Sequence, residues 1–211
     1  MERIDRDQLP AAILSRVREG ERLLLAIAGP PGAGKSTLAE QLRDALNKGG
    51  DGPSAIVPMD GFHLDNAILD RLNLRSRKGS PPTFDCAGFE MLLGRLKTAD
   101  EDIVIPVFDR TLDLARAGGA IVEARHRILI VEGNYLLLDE APWRRLHGLF
   151  DMTVFLDVPF VELERRLIQR WLDHDHTLEE ARERALSNDI PNAQLTVTAS
   201  RSADYVVRTE S

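Results

Sequence analysis

Eight consecutive residues, GPPGAGKS at positions 29–36, have the residue types and spacing of a phosphate-binding loop. Glycines let backbone N–H groups converge on polyphosphate oxygens, and a helix that follows adds its positive N-terminal end. In this pattern Lys35 neutralises the β- and γ-phosphates, and the Ser36 hydroxyl is a ligand for Mg²⁺. An apolar segment precedes the loop and an amphipathic one follows it, as the strand and helix of such a site require. The sequence therefore predicts a nucleoside triphosphate site formed by Gly29, Pro30, Pro31, Gly32, Ala33, Gly34, Lys35, Ser36 and Thr37.

Two carboxylates come directly after predicted strands. Asp60 follows the segment 55–59, and Glu132 follows the apolar segment 127–131. Because the carboxyl ends of parallel strands meet at one edge of a sheet, both are expected beside the phosphate loop. Asp60 is then placed to accept the proton of an attacking hydroxyl, and Glu132 to hold Mg²⁺ or its water shell. Two simpler interpretations stay open: Asp60 as a turn-former before Gly61, and Glu132 as a solvated acid at a strand end.

Two arginines complete the candidate chemistry. Arg166 and Arg170 lie four residues apart in the helix predicted after Val158, so they share one helix face. Together with Arg165 they are expected to close over the transferring phosphate as a lid. An exposed, arginine-rich helix face is the other interpretation of the same pattern.

The elements that must position these residues follow the order of an α/β domain with a mostly parallel sheet. The apolar run 22–28 is too short for a buried helix and fits a central strand covered on both faces. The motif TLEE at 177–180 has the form of a capping box and predicts a helix start. Gly118 and Gly119 predict a hairpin turn, whose strand 121–122 would edge the sheet. The other predicted strands are 55–59, 103–108, 127–131, 153–158 and 204–208, and the predicted helices lie at 7–19, 35–48, around 89–96, after 159 and after 177.

Composition excludes several classes of protein. The 211 residues carry a net charge of −7 and a single cysteine, Cys86. An acidic chain without a basic block is poorly suited to gripping a nucleic-acid backbone, and one cysteine allows neither an internal disulfide nor a cysteine-rich zinc site. The first ten residues lack the apolar core of a secretory signal, and no apolar run is long enough to span a bilayer. We therefore expect one cytoplasmic domain without nucleic-acid or membrane partners.

Several classes of phosphate-loop protein are disfavoured by missing motifs. The sequence contains no Asn-Lys-x-Asp motif for guanine and no LSGGQ-like signature of transporter ATPases. What remains favours a small-molecule kinase. A nucleotide-binding regulator with slow hydrolysis is the alternative from another class, although a regulator has no need of a carboxylate such as Asp60 on the acceptor side. A pure interaction module would leave the phosphate loop unexplained.

Five segments, taken in order, carry a family resemblance. They are the phosphate loop, MDGFH (59–63), RKGSPPTFD (77–85), PVFDR (106–110) and VEG (131–133). In this order they resemble the uridine kinase/phosphoribulokinase/bacterial pantothenate kinase superfamily. With RLIQRWL (166–172) and NDIPNAQL (188–195), the pattern is most similar to bacterial fructose-transport-system kinases. The resemblance covers residues 23–207.

The resemblance implies an ATP- and Mg²⁺-dependent phosphotransferase. The fold it implies is a three-layer α/β/α P-loop NTPase fold with a mostly parallel five-stranded sheet and a helical lid. The chain would then be a single kinase domain over 1–211, with an N-terminal helix at 1–20 and the lid and its following helix at 160–190. The expected partner is a small-molecule hydroxyl substrate, with a sugar as the leading acceptor and pantothenate or a nucleoside as alternatives. The protein is expected to be a monomer or a homodimer.

The resemblance also implies a role for individual residues. Asp60 is the catalytic base, Lys35 and Ser36 serve phosphate and metal, and Glu132 supports Mg²⁺. Arg166 and Arg170 belong to the lid and contact the transferring phosphate. Arg201 lies in the segment that passes the adenine ring in relatives. The substrate-contact candidates are His63, Arg77, Lys78, Asp85 and Arg110.

Overall fold

A parallel sheet of six strands lies at the centre of the computed structural model, which describes residues 2–208. Every neighbouring pair in the sheet is parallel, which confirms the predicted α/β class. The sheet has one strand more than the five predicted, because a two-residue segment too short to show a pattern pairs at its edge. In spatial order the strands are β1 (Glu2–Arg3), β8 (Tyr205–Arg208), β7 (Met152–Asp157), β2 (Leu23–Ala28), β6 (Ile128–Gly133) and β3 (Ser54–Pro58).

Helices cover both faces of this sheet. The strand β2 is buried along its whole length, and its alternate side chains enter two separate apolar clusters. Leu24 joins Phe89 and Leu93 on one face, whereas Leu25 joins Leu38 and Leu167 on the other. This division produces the predicted three layers. The helices are α1 (Leu9–Leu14), α2 (Lys35–Asn47), α3 (Asn66–Arg71), α4 (Cys86–Thr98), α5 (Phe160–Leu172), α6 (Leu178–Arg184) and α7 (Ile190–Ala199).

The sequence predicted one of three helical features correctly, one only in part and one not at all. The capping box at the start of α6 is present, with Thr177 and Glu180 each accepting a hydrogen bond from the other's backbone N–H. The N-terminal helix is shorter than predicted, since α1 ends where the Ser15 hydroxyl donates to the carbonyl of Ala12. A turn of π-helix, Ala185–Asp189, joins α6 to α7 and was not predicted.

The predicted hairpin was wrong in its turn and in its position. Strands β4 (Ile103–Asp109) and β5 (Leu114–Val122) form a separate antiparallel pair instead of an edge of the central sheet. Their turn lies at 110–113, where the Asp109 carboxylate accepts from the next N–H groups. Gly118 and Gly119 lie inside β5, and a side chain at Gly119 would collide with Val107. Gly119 therefore permits close approach of the two strands, Gly118 provides a positive φ of 66° within β5, and neither glycine forms the turn.

One buried cation joins the elements at the amino edge of the sheet. Arg22, immediately before β2, is only 4% exposed. Its guanidinium donates hydrogen bonds to three backbone carbonyls, those of Leu96, Glu123 and His126, at 3.0, 3.0 and 3.1 Å. It thus connects the end of α4, the end of the β4–β5 pair and the start of β6.

Replacing this arginine tests how much that junction contributes to stability. Arg22→Met should lower the free energy of unfolding by about 2–4 kcal/mol, because buried carbonyls lose a charged donor. Urea unfolding followed by circular dichroism measures the change. Arg18→Met, at a side chain 79% exposed, is the matched control and should alter stability by less than about 0.5 kcal/mol. Equal unfolding midpoints for the two variants would contradict the assignment.

Candidate active site

The segment between β2 and α2 is built as a tight anion-binding loop. Gly32 and Gly34 have φ angles of 80° and 88°, a region that only glycine enters without strain. A Cβ on Gly29 would lie 3.0 Å from the carbonyl oxygen of Leu156, so the loop also needs glycine for close approach to β7. Helix α2 begins at Lys35, directly after the left-handed Gly34. The N-terminal end of α2 therefore points into the loop, as the sequence predicts.

Lys35 and Glu132 are buried beside this loop. The Lys35 ammonium donates to the carbonyl of Pro30 at 2.9 Å, and burial lowers its pKa to about 8 against the opposing charges of Glu132 and Asp60. Burial, together with the Asp60 carboxylate, raises the pKa of Glu132 to about 7, and a hydrogen bond with Ser36 acts in the opposite direction. Both groups are thus driven towards their neutral forms. A polyphosphate would supply the negative charge that this buried ammonium lacks.

The two strand-end carboxylates converge as predicted. Glu132 pairs in register with Pro58 of β3 on one side and with Ile27 of β2 on the other. Asp60 follows two residues beyond Pro58, in a short 3₁₀ turn, and its charge acts on both Lys35 and Glu132. The common direction of parallel strands therefore brings these groups to one edge of the sheet.

Helix α5 lies directly on the phosphate loop. A Cβ on Gly32 would lie 3.2 Å from the Leu167 side chain, so this helix packs against the loop backbone. Arg166 donates to the carbonyl of Gly32 at 3.3 Å and to Glu162 at 2.6 Å. Arg165 also pairs with Glu162 and is exposed. The structure therefore places Arg166 on the phosphate loop, and Arg165 away from it.

A cavity of about 430 Å³ opens beside Asp60. The His63 ring packs against Phe84 and Phe108, with ring centroids 4.1 and 4.6 Å apart, and its Nδ1 lies 2.8 Å from the backbone oxygen of Asp60. Arg110 contacts the Asp60 carboxylate at 3.3 Å. The cavity therefore combines one carboxylate, an aromatic wall and a cation at the edge of the phosphate loop.

Three of the five predicted substrate-contact residues line this cavity. They are His63, Lys78 and Arg110. Arg77 lies outside the lining and donates to Asn188 at 3.3 Å. Asp85 also lies outside, because its carboxylate caps α4 by accepting from the N–H of Gly88 at 2.8 Å. The capping geometry corrects the prediction that Asp85 contacts substrate.

Arg201 is not brought to the phosphate loop. It precedes β8, which runs parallel to β7. At the start of these strands, Asp204 accepts hydrogen bonds from the N–H and the hydroxyl of Thr153. Arg201 therefore lies towards the amino edge of the sheet, where its N–H donates to the carbonyl of Leu137. The placement does not support the predicted adenine contact.

Apart from Arg170, one wall of the cavity was missed by the sequence reasoning. It runs from the end of α5 through the π-helical turn to the start of α7, and it includes Trp171, which also packs against the apolar core. The indole N–H of Trp171 donates to Asp189 at 2.7 Å, and the amide of Asn188 donates to the carbonyl of Lys78 at 2.8 Å. A π-helical turn carries no sequence signature, although such turns are frequent at functional sites. The residues of this wall are Arg170, Trp171, His174, Arg184, Ser187, Asn188, Asp189 and Asn192.

Comparisons with known proteins agree with this geometry. Residues 24–208 match the model of the phosphoribulokinase/uridine kinase family. A Schizosaccharomyces pombe protein named "Putative uridine kinase C227.14" is 36% identical over 194 residues, covering 88% of this chain and 83% of its own length. A Lachancea thermotolerans protein named ATP-dependent kinase YFH7 is 32% identical, covering 90% of this chain and 65% of its own. A crystal structure from Silicibacter sp. TM1040, described as a "putative fructose transport system kinase", has a TM-score of 0.91 at 44% identity, covering 96% of this chain and 98% of that one.

Membrane-spanning helices and clusters of metal ligands are both absent from the described part of the chain. Within residues 2–208, no helix has both the length and the apolar character needed to cross a bilayer. Across that same part of the chain, no three His, Cys, Asp or Glu side chains form a cluster that could hold a metal ion.

The buried ammonium is the first group to test. Lys35→Met should weaken ATP binding roughly 100-fold or more, because the loop loses its one buried charged donor to the phosphates. Isothermal titration calorimetry with ATP measures the affinity. Lys48→Met, at the exposed C-terminal end of the same helix, removes the same charge and should bind ATP like the unaltered protein. Wild-type affinity in the Lys35→Met variant would contradict the site assignment.

Proposed function

Because this chain belongs to the phosphoribulokinase/uridine kinase family and is a small-molecule kinase, we propose that it transfers the γ-phosphoryl group of ATP to a hydroxyl held in the cavity beside Asp60. One observation carries the proposal. Asp60 lines the cavity and also acts electrostatically on Lys35, so a single carboxylate adjoins both the acceptor space and the phosphate loop. A nucleotide-binding regulator would have no use for such a carboxylate.

Asp60 is the proposed general base. Its carboxylate would accept the proton of the attacking hydroxyl as the oxygen approaches phosphorus. Arg110, at 3.3 Å, fixes the orientation of the carboxylate. The contact between His63 and the backbone oxygen of Asp60 holds the turn that carries it. Because the acceptor would lie against this fixed group, much of the rate enhancement would come from positioning.

Three cations are proposed to neutralise the transferring group. Lys35 points into the phosphate loop, Arg166 reaches the carbonyl of Gly32, and Arg170 lines the cavity one helical turn further on. Negative charge spread over the phosphoryl oxygens in the transition state would be stabilised by these groups. We propose that residues 160–190 act as the lid of one kinase domain that spans 1–211, because α5 already rests on the loop.

Magnesium is the proposed metal. The Ser36 hydroxyl and the Glu132 carboxylate would hold it, and the effect of Ser36 on the pKa of Glu132 indicates that the two side chains are neighbours. Both supply hard oxygen ligands, and Mg²⁺ is commonly bound by one or two carboxylates together with phosphate oxygens, so this small donor set fits. Bound there, the ion would neutralise charge on the polyphosphate.

A sugar is the proposed acceptor. Support comes from the description of the Silicibacter protein, which names a fructose transport system. Polar side chains of the cavity wall, among them Ser187, Asn188 and Asn192, suit a ligand with several hydroxyl groups. Pantothenate and nucleosides are the alternative acceptors for the same site.

Substitution of Asp60 tests the chemistry. Asp60→Asn should lower phosphoryl transfer by about 10²–10⁴-fold and leave ATP affinity unchanged, because only the proton acceptor is lost. A coupled assay of ADP release and a separate ATP titration measure the two quantities. Asp85→Asn is the control: asparagine also caps helices, so this variant should retain the turnover of the unaltered protein. Equal turnover in Asp60→Asn and the unaltered protein would remove Asp60 from catalysis.

An acceptor screen tests the reaction itself. ADP release should rise above the water background with at least one member of a panel of sugars, nucleosides and pantothenate. Product detection by mass spectrometry would confirm a gain of one phosphoryl group on the acceptor. Background release with every compound would favour the regulator over the kinase.

A further inference from the structure

The cavity wall carries more positive than negative groups. Five cationic side chains line it, Arg75, Lys78, Arg110, Arg170 and Arg184, against three carboxylates, Asp60, Asp113 and Asp189. The chain as a whole has the opposite balance, with a net charge of −7. Positive charge is therefore concentrated where the acceptor would bind.

Ion pairs neutralise only three of these five cationic side chains. Lys78 pairs with Asp113 at 2.9 Å, Arg110 with Asp60 at 3.3 Å, and Arg75 with Asp70 outside the cavity at 3.2 Å. Within residues 2–208, Arg170 and Arg184 have no carboxylate within 4.0 Å, and neither side chain donates a hydrogen bond to the protein. The charge of Asp189 acts on both arginines, but it forms no direct ion pair with either of them. The N–H groups of the two guanidinium groups are thus left for a ligand.

The two arginines lie on different helices. Arg170 belongs to α5, the helix that rests on the phosphate loop, and its charge acts on Lys35. Arg170 can therefore serve the transferring phosphate. Arg184 is the last residue of α6 and lines the cavity together with Ser187 and Asn188.

Arg184 is held in place by an aromatic ring. Its guanidinium lies 4.9 Å from the centroid of Trp171, a favourable cation–π distance. Trp171 is itself oriented by the hydrogen bond to Asp189 and by stacking on His176, with ring centroids 5.3 Å apart. This contact uses no N–H group of the guanidinium, and within residues 2–208 these groups donate no hydrogen bond, so they remain available to a ligand in the cavity. A guanidinium held in this way can bind a carboxylate or a phosphate through two parallel hydrogen bonds.

We infer that the acceptor carries a carboxylate or phosphate group besides its reactive hydroxyl, and that Arg184 binds this group. The inference rests on the proposed function, because it names the class of acceptor for that same site. It narrows the proposed sugar to an acidic or phosphorylated derivative, and it makes Arg184 a specificity-determining residue. Neutral sugars and nucleosides would leave the Arg184 guanidinium without a direct ion pair in the cavity.

Matched pairs of compounds test the charge of the acceptor. The panel consists of glucose with gluconate, ribose with ribonate, pantothenol with pantothenate, and glycerol with glycerate and glycerol phosphate. The anionic member of at least one pair should exceed its neutral partner in kcat/KM roughly 10-fold or more. Carboxylate and phosphate members distinguish the two anionic groups from one another. Neutral members that match or exceed their anionic partners in every pair, with turnover in at least one, would overturn the inference and leave the kinase function intact.

Substitution of Arg184 tests the residue. Arg184→Met should raise the KM of the preferred anionic acceptor roughly 10–100-fold, the usual effect of losing a charge-assisted hydrogen bond, with the KM of ATP unchanged. Arg184→Lys should show a smaller rise in this KM than Arg184→Met, because lysine keeps the positive charge but lacks the two parallel N–H donors of a guanidinium. Arg182→Met, an exposed arginine on the same helix outside the cavity, is the charge-matched control. Identical kinetics in the Arg182→Met and Arg184→Met variants would overturn the assignment, as would a parallel rise in the KM of ATP.

A binding measurement separates this inference from the proposed reaction. Trp171 adjoins Arg184, so an anionic panel member should change tryptophan fluorescence without ATP, and the change should be lost in Trp171→Phe and Arg184→Met. An Arg184-dependent change without phosphorylation would support the anion site while removing the proposed reaction. Absence of both turnover and fluorescence change across the panel would overturn the inference.

Discussion

The burial of a single ammonium group, that of Lys35, is the constraint around which the site is organised. A buried positive charge is costly unless a partner compensates it, and here a carbonyl oxygen and two nearby carboxylates do so only in part. Glycine at 29, 32 and 34 allows the backbone to fold closely around this group. Helix α5 then packs on the loop through Leu167 and Arg166, which covers the ammonium and brings the arginines of the helix to it.

Charge is distributed unevenly over the molecule for a related reason. Acidic residues outnumber basic ones by 34 to 27, yet the cavity has the reverse balance. The excess of negative charge therefore lies elsewhere on the protein. Anionic ligands therefore meet an excess of positive side chains at the cavity. The net charge predicted that there is no nucleic-acid partner, but a single total carries no information on this local excess.

The sequence could predict residues whose position depends on the local pattern of the chain. It could not predict residues whose position depends on contacts with distant segments. The fully apolar run of β2 indicated a central strand, and parallel strands then required Asp60 and Glu132 to meet. Asp85 was misassigned because a carboxylate three residues before Gly88 is equally suited to capping a helix. Arg184 was missed because its place in the cavity depends on a π-helical turn and on the distant Trp171. The separate β4–β5 pair was missed because its turn uses Asp109, whereas its glycines lie within a strand.

Asn188 connects the helices beside the phosphate loop to the loop that borders the acceptor cavity. Its amide donates to the backbone of Lys78 and accepts from Arg77, so it joins the π-helical turn to the loop that borders the acceptor cavity. The same turn continues, through α6, from the helix that rests on the phosphate loop. A ligand that shifts α5 would therefore act on the 77–78 segment through these two hydrogen bonds. By thermodynamic linkage, a free energy of coupling between nucleotide and acceptor would be the same in both directions, whichever of the two binds first.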